Sequence, residues 1–384
     1  MKKQIANAKD IFYRIASILA LTFILSSCAS SPVAPINQTT KEAITLEFPS
    51  VNPTVAETSK LTPTAPRTPP ALPALFQSRF LNPLDTPRAY LQDVCKYLKN
   101  KWNPLNAEPG TVVMILMLRG IYRGMVESVD GVDTNDLRKI VDQLKRQGFE
   151  AINTKQFLAF MERNVKIPPR SVLIIQDGRH QRENFDKDFR VYWNDWGWPV
   201  VNGWPSQPDT SEALWQENID LEREGFVDHQ AQGVMIGTSL SNDSSKAVIA
   251  RELAGSLTAF ADRFGKTPIA FIWPSGGFGQ RPVEAARQLG YQLGFTSNSR
   301  GPVMYNWTPL ADEFDPQRPS YIPEGAIKDP LMTLPRYWPR QALNAIDGVR
   351  ATGNEARAYA EANKAAELEY YDIVCKPTYG PMPQ

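Results

Sequence analysis

The chain has 384 residues, 42% of them hydrophobic and 22% charged, and its 42 basic and 41 acidic residues leave a formal net charge of +1. A near-neutral chain without a long basic run is a poor candidate for binding nucleic acid. After the N-terminal segments described next, about 310 residues remain, which is enough for one large α/β core.

The N-terminus has the pattern of an export signal. Basic residues between Lys2 and Arg14 precede an apolar run over 15–25, which is shorter than the roughly 20 apolar residues of a membrane-spanning helix. This pattern predicts a signal peptide over 1–27. The quartet Leu25-Ser26-Ser27-Cys28 resembles the lipobox of bacterial lipoproteins. That resemblance implies lipidation of Cys28, a membrane anchor through this lipid, and a domain facing the periplasm or the exterior. An ordinary secretory signal with a chance cysteine is the alternative.

The region over 28–75 is rich in proline and threonine and shows neither helical nor strand periodicity. Such a composition cannot bury enough apolar surface to offset the entropy of ordering, so we expect a disordered tether. An N-terminal helical extension follows over 76–109, the main domain occupies 110–340, and a C-terminal helical extension covers 341–384.

Two cysteines, Cys95 and Cys375, flank the folded region. Outside the cytoplasmic membrane such a pair can be oxidised, so we expect a disulfide between the ends of the domain. Two buried thiols that act as small apolar residues are the alternative.

Helices and strands alternate along the main domain. Predicted strands are 112–118, 172–175, 269–273 and 293–296, and predicted helices are 86–101, 136–147, 245–264, 282–290 and 354–370. Alternation of this kind indicates a parallel sheet covered by helices, in which functional residues follow the carboxyl ends of the strands.

Several blocks in this order resemble the polysaccharide deacetylases of the NodB-homology type. They are Gln176-Asp177-Gly178, then Gly225 to His229, then Trp273-Pro274-Ser275-Gly276, and finally Leu334-Pro335-Arg336. The resemblance spans about residues 110–340 and implies a distorted (β/α) barrel. It also implies hydrolysis of N-acetyl groups on a glycan, with a divalent metal, usually zinc, that activates a water molecule.

The resemblance assigns site roles to residues of this chain, which departs from the family pattern at three positions. It makes Asp177 and His229 metal ligands, and it makes Trp273, Pro274, Gly276 and Arg336 part of the sugar groove. However, Gln176 stands where the family has its general base, Gly233 stands where it has its second histidine, and Ser275 replaces a tyrosine. The site is therefore predicted to be degenerate, with impaired turnover.

The remaining polar groups leave three interpretations open. A rewired site could use Asp177, His180 and Asp228 as catalytic groups together with His229. Alternatively, His180 and His229, the only histidines, are structural. A third interpretation treats Asp177 and Asp228 as the carboxylate pair of a glycoside hydrolase, which requires a defined separation between them.

A tryptophan-rich segment follows the Asp177 block and includes Trp193 and Trp196. Tryptophan rings suit the apolar faces of sugars, so these two side chains are candidates for substrate binding. The alternative is a loop core that packs against one side of the barrel.

Two functions compete on this basis. The first is a membrane-anchored deacetylase of N-acetylated glycan, whether peptidoglycan, a chitin-like polymer or poly-N-acetylglucosamine. The second is a catalytically inactive lipoprotein that binds such a glycan through the barrel groove. Because the first requires a tightly held ion and the second does not, the ligand set of the site distinguishes them.

Overall fold

The computed structural model describes residues 67–124, 126 and 131–383, which belong to one compact unit, Ala65–Gln384. The predicted signal peptide and Cys28 lie outside the described residues. Within the described part of the chain, no helix combines the length and the apolar character needed to cross a membrane.

Eleven strands and ten helices are described, numbered here in chain order. The strands are β1 (Thr86–Arg88), β2 (Val112–Leu118), β3 (Gly120–Tyr122), β4 (Gly131–Asp133), β5 (Glu150–Ala151), β6 (Arg170–Asp177), β7 (Val200–Trp204), β8 (Val227–Ala231), β9 (Ala270–Ile272), β10 (Leu293–Phe295) and β11 (Thr308–Leu310). The helices are α1 (Val94–Lys101), α2 (Thr134–Arg146), α3 (Thr154–Arg163), α4 (Arg182–Asp188), α5 (Arg190–Trp196), α6 (Glu212–Arg223), α7 (Lys246–Phe264), α8 (Gln280–Gln288), α9 (Pro339–Tyr370) and α10 (Lys376–Tyr379).

The central sheet is parallel, in the order β10-β9-β8-β7-β6-β2, with β5 beside the first half of β6. The segment 334–337 lies between the two outer strands. Leu334 N donates to Gly294 O at 2.8 Å, and Tyr337 N donates to Ile115 O at 2.7 Å. These bonds join β10 to β2 through one short stretch of chain, so the sheet curls into the distorted barrel that the sequence predicted.

The elements form for local reasons that the sequence displays. All seven residues of β2 are buried, as expected for a parallel strand covered on both faces. Helix α2 begins after Asp133, whose carboxylate accepts from two backbone N–H groups, and it buries the i, i+3, i+4, i+7 stripe Leu137, Ile140, Val141 and Leu144. Ser245 caps α7 with its hydroxyl, which accepts from the backbone N–H of Val248.

Several boundaries differ from the sequence prediction. Thr86-Pro87 does not open a helix, because these residues pair with β11 as the short antiparallel strand β1, and α1 starts only at Val94. Helix α9 begins at Pro339 instead of 354, which makes it 32 residues long. Helices α3 to α6 and strand β7 are absent from the prediction, and the tryptophan-rich segment runs through α5 and β7.

The two ends of the described chain meet. Cys95 in α1 forms a disulfide with Cys375, which ends the π-helical turn after α9. Residues 67–75, assigned to the tether from composition, contact α9: Arg67 pairs with Glu369 at 3.0 Å, and the Tyr359 hydroxyl donates to Ala74 O at 2.7 Å. The N-terminal extension is therefore packed along the C-terminal helix.

Candidate functional site

A cavity of about 250 Å³ opens at the carboxyl ends of the barrel strands. It combines residues that follow β2, β6, β8 and β9 with residues of the closing segment. Its walls include Arg119, Asp177, Gln232, Ile236, Pro274, Ser275, Gly276, Ser297, Ser320, Arg336 and Trp338. This is the edge at which parallel α/β barrels place ligands, and it brings together Asp177 and Arg336, which the sequence separates by 159 positions.

A buried ion pair forms the floor of this cavity. The Arg336 guanidinium donates from Nη1 to Asp177 Oδ1 at 2.6 Å, and its Nε donates to Thr296 O at 2.6 Å. The Arg336 side chain is 1% exposed and that of Asp177 is 10% exposed. Removing one partner would leave the charge of the other unpaired and almost without access to solvent, so each group holds the other in place.

Hydrogen bonds from the Asn202 side chain and from one backbone amide hold the end of β6 that carries Asp177. Asn202 Nδ2 donates to Gln176 O at 2.7 Å and to Gly178 O at 3.0 Å, and Gly178 N donates to Gly203 O at 2.8 Å. Gln176 shares a register with Asn202 and His229 across the sheet. Neighbouring residues of a strand point to opposite faces, so Gln176 points away from the cavity that Asp177 faces.

His180 lies near Asp177 but does not line the cavity. Its Nε2 is 2.8 Å from the backbone oxygen of Asp177 and 3.0 Å from the amide nitrogen of Gln176. A carbonyl oxygen can only accept, so the imidazole donates toward it. Burial lowers the pKa of His180. The ring supports the turn after β6 on the face opposite the Asp177 carboxylate.

The structure does not bring His229 to the cavity. The ring is fully buried between the sheet, α6 and α7 and stacks on Phe264 with centroids 4.7 Å apart. Its Nδ1 is 2.9 Å from Glu222 Oε2, and its Nε2 is 2.9 Å from Asn218 Oδ1. Burial lowers the pKa of His229, although the Glu222 carboxylate opposes this effect. With both nitrogens engaged in the core, His229 is placed as a structural residue and not as the metal ligand that the sequence suggested.

Asp228 is also remote from the cavity. It stands near the start of β8, where its Oδ2 accepts from the backbone N–H of Thr154 at the first turn of α3 at 3.0 Å. Its Oδ1 receives Gln230 Nε2 at 2.8 Å and pairs with Lys266 at 3.1 Å. In the register of the sheet, Asp228 is two strands away from β6 and level with Ile175, two residues before Asp177. Both of its oxygens are engaged by the partners just named, so the two carboxylates do not share a site. The structure therefore does not assemble the proposed catalytic set or a glycosidase pair.

The position of the family's second histidine has no room for a side chain. Gly233 has φ +83°, and a Cβ there would lie 2.8 Å from Oε2 of Glu252. This glutamate on α7 is fully buried, and the same oxygen accepts from the backbone N–H groups of Val234 and Met235 at 2.7 and 2.9 Å. The Glu252 carboxylate, held by these two backbone amides, thus occupies the space that a metal-binding side chain at position 233 would need.

The block after β9 contributes to the cavity only in part. Pro274 and Gly276 line it, but Trp273 is fully buried in the helix layer, where its Nε1 donates to Met332 O at 2.8 Å. Trp273 is therefore not placed to contact a sugar. The neighbouring Ser275, which sequence reasoning treated only as a lost tyrosine, is exposed at the cavity with φ 54°.

Trp193 and Trp196 are on α5, away from the cavity. Trp193 packs on Phe226 with centroids 5.7 Å apart, and Trp196 stacks on Tyr192 at 5.3 Å. Both pack against the core on the helix side of the sheet. The structure thus matches the alternative interpretation of this segment, in which the rings pack against one side of the barrel.

The donor set of the cavity does not fit a zinc ion. Asp177 is its only carboxylate among the described lining residues and is already bound to Arg336, while His229 and Asp228 face other parts of the molecule. Throughout residues 67–124, 126 and 131–383, no three side chains of the metal-binding types cluster closely enough to hold a metal. Structural and catalytic zinc sites use at least three protein ligands, so the described residues of this cavity do not form one.

Trp338 and Gln232 are among the cavity residues that the sequence analysis missed. Trp338 is half-buried, and its indole N–H donates to Ser297 O at 2.5 Å, which leaves the ring at the cavity wall. A signal was present, because Trp338 is two residues beyond Arg336 and alternation places both on the same side of an extended segment. Gln232 comes directly after the last residue of β8.

Fold and site together define a barrel protein with a small, polar, ion-paired cavity at the ligand-binding edge. No protein-family model matches the sequence, and no curated protein matches it. Among solved structures, the chain is similar to polysaccharide deacetylases. One is the Streptococcus pyogenes deacetylase PplD in complex with acetate, with 15% identity, a TM-score of 0.48, and coverage of 63% of this chain and 99% of that one.

Two further solved structures are similar to the chain. A de-N-acetylase from Aggregatibacter actinomycetemcomitans has 12% identity, a TM-score of 0.47 and coverage of 62% of this chain and 99% of its own. IcaB from Ammonifex degensii has 12% identity, a TM-score of 0.45 and coverage of 64% of this chain and 98% of its own. At these identities and TM-scores, the function has to be argued from the site itself.

Proposed function

We propose that the chain binds one N-acetylated sugar residue of an envelope glycan in the cavity and does not hydrolyse it through a metal. The observation that carries this proposal is the Asp177–Arg336 ion pair, which occupies the only carboxylate among the described cavity residues. In this proposal the pair serves as a fixed floor that presents charged hydrogen-bonding groups to a ligand.

The walls suit a sugar ring. Sugar faces are apolar and their rims carry hydroxyl groups, so a binding site combines an aromatic ring with convergent polar side chains. Trp338 supplies the ring here, and Gln232 and Ser275 supply donors and acceptors around it. A cavity of about 250 Å³ lies below the usual range of roughly 300–1,000 Å³ for drug-sized ligands, which favours a single sugar residue of a longer polymer.

The test is a calorimetric titration with N-acetylglucosamine oligomers and peptidoglycan fragments. Trp338→Ala should weaken binding about fivefold, because aromatic contacts contribute roughly 1 kcal/mol. Trp196→Ala is the matched control, since this ring packs on α5, and it should leave affinity unchanged. Saturable binding that Trp338→Ala does not weaken would contradict the assignment.

A second measurement addresses hydrolysis. Acetate release from the same oligomers should stay at background with added zinc, in the wild type and in Asp177→Asn alike. Zinc-dependent release that disappears in Asp177→Asn would overturn the proposal and favour the rewired deacetylase.

We also propose that Cys28 carries the lipid that holds the chain on a membrane. The support is the sequence pattern before Cys28. Expression of Cys28→Ser beside the wild type tests it: the wild type should fractionate with membranes and the variant should not. Membrane retention of the variant would contradict lipidation at this residue.

A further inference from the structure

A second concave site lies at the opposite end of the barrel, at the amino ends of β2 and β6. This cavity of about 300 Å³ is lined by Arg170, Arg350 and Arg357 together with the glycines Gly110, Gly148 and Gly353. None of the described residues that line it is acidic. In a chain whose 42 basic and 41 acidic residues nearly cancel, three arginines around one cavity form a local concentration of positive charge.

The nearby carboxylates neutralise this charge only weakly. Arg350 Nη2 is 3.8 Å from Asp347, and Arg357 Nη2 is 3.2 Å from Glu108. Both acidic side chains are about two-thirds exposed or more, at 70% and 66%. Exposed pairs of this kind contribute little, about 0–1 kcal/mol, so an incoming anion can compete with them.

Arg170 makes one structural hydrogen bond, which leaves other N–H groups of its guanidinium able to bind an anion. Its Nη1 donates to Gln147 O at 2.7 Å, which satisfies a carbonyl at the C-terminus of α2. Arg350 Nε donates to the side-chain oxygen of the same Gln147 at 3.0 Å. A guanidinium carries several N–H groups in a planar fork, so each of these contacts uses only one edge of it.

The backbone around the cavity is unusually close to α9. A Cβ on Gly353 would lie 2.8 Å from Gly110 O, so the two glycines bring the turn before β2 directly onto the helix. This contact sets Arg350 and Arg357, one on either side of Gly353, against the end of the barrel where Arg170 begins β6. The sequence shows no basic run here, because Arg350 and Arg357 are seven positions apart on α9 and Arg170 comes from β6.

We propose that this arginine cavity binds a phosphate group. Arginine matches phosphate by paired N–H···O bonds and remains charged at any relevant pH. The phosphate can belong to a glycerophospholipid headgroup of a membrane surface or to a soluble phosphate, and both present the same anion to the cavity.

The experiment uses the full chain with Cys28→Ser, so that no acyl group can attach it to a vesicle. Calorimetry with inorganic phosphate and with glycerol 3-phosphate, at constant ionic strength, measures the site. Arg350→Gln/Arg357→Gln should lower affinity at least about tenfold, since hydrogen bonds to charged groups are involved. Arg223→Gln/Arg263→Gln makes the same change in net charge on exposed arginines of α6 and α7 and should not alter binding.

Vesicles of phosphatidylglycerol and phosphatidylcholine then separate the two sources. Flotation with anionic vesicles that falls in the Arg350/Arg357 variant but not in the control supports a lipid headgroup. Phosphate binding without such flotation supports a soluble phosphate. If neither phosphate compound binds, or if both double variants bind equally, the proposal is wrong. Because glycan binding is measured at the other end of the barrel, its failure would not affect this result.

Discussion

The buried pair of Asp177 and Arg336 gives the sharpest stability prediction. Arg336→Met removes the guanidinium but keeps much of its apolar length, and it leaves the Asp177 carboxylate about one-tenth exposed and unpaired. Breaking a buried pair from one side typically costs about 3–5 kcal/mol. Asp177→Asn keeps an oxygen that can accept from Arg336, so its cost should be smaller, about 1–3 kcal/mol.

The double variant separates pairing from packing. With both charges removed, no uncompensated ion remains, so the combined cost should fall short of the sum of the single costs by about 1–3 kcal/mol. Arg287→Met is the control: its guanidinium makes two 2.7 Å contacts with Asp329, but the two side chains are 34% and 25% exposed. Greater solvent contact should limit that loss to about 1 kcal/mol.

Urea unfolding of the oxidised protein, followed by circular dichroism, measures all four variants. An Arg336→Met protein no less stable than Arg287→Met would refute the view that the pair is a buried unit. Strict additivity of the Asp177 and Arg336 changes would refute it as well.

Three further predictions concern the rest of the fold. Burial lowers the pKa values of His180 and His229, so as the pH falls the unfolded chain is protonated at these residues before the folded chain is. The free energy of unfolding should therefore be highest above about pH 6.5 and should decline toward pH 5. A constant urea midpoint across this range would contradict this prediction. Cys375→Ser opens a bridge spanning 280 positions and should cost roughly 5 kcal/mol in the chain-entropy model, measured against the oxidised wild type. Gly233→His should lower the free energy of unfolding by roughly 2 kcal/mol or more, because residue 233 has a left-handed backbone conformation. The variant should also show no zinc binding by calorimetry. Stoichiometric zinc binding would contradict the view that Glu252 fills the space beside residue 233.

The barrel was predictable because its strands are continuous apolar runs. Strand β2 was placed at the bounds that the structure has, and β6, β9 and β10 were placed within about two residues, as such buried strands allow. The elements that were missed carry weaker signals. Strand β7 includes Asn202 and Gly203, and α5 contains two tryptophans that composition alone assigned to a loop. Packing against neighbouring elements decides their structure.

The site was predictable only in part, because a motif gives spacing along the chain but not the face on which a side chain emerges. Asp177 and Arg336 were found and do meet. His229 was assigned to the site from its position after Gly225, yet in β8 it points into the helix layer, where Glu222 and Asn218 bind it. A shift of one residue in a strand reverses the direction of every side chain.

The sequence also could not show that Gly233 is closed to a side chain. A glycine in place of histidine looks like the loss of one ligand, which a reverse mutation would restore. The space is filled by the Glu252 carboxylate, which accepts from the backbone N–H groups of Val234 and Met235 and belongs to α7, later in the chain. Only the folded chain brings this carboxylate to the vacated position.

The closing segment 334–337 has a consequence for the order in which the molecule can be assembled. Val303 pairs with Val113 at the start of β2. Until the segment 334–337 has been synthesised, however, the rest of this edge and the outer edge of β10 keep unpaired backbone groups, and such edges are prone to pair with other chains. The second edge of β2 is thus completed only by Val303 and Tyr337, which come much later in the chain, and long-range contacts of this kind slow folding. A chain truncated before residue 334 would keep most of its helices, but the outer edges of β2 and β10 would keep unpaired backbone groups. We therefore expect such a truncation to cause aggregation before it causes a measurable loss of secondary structure.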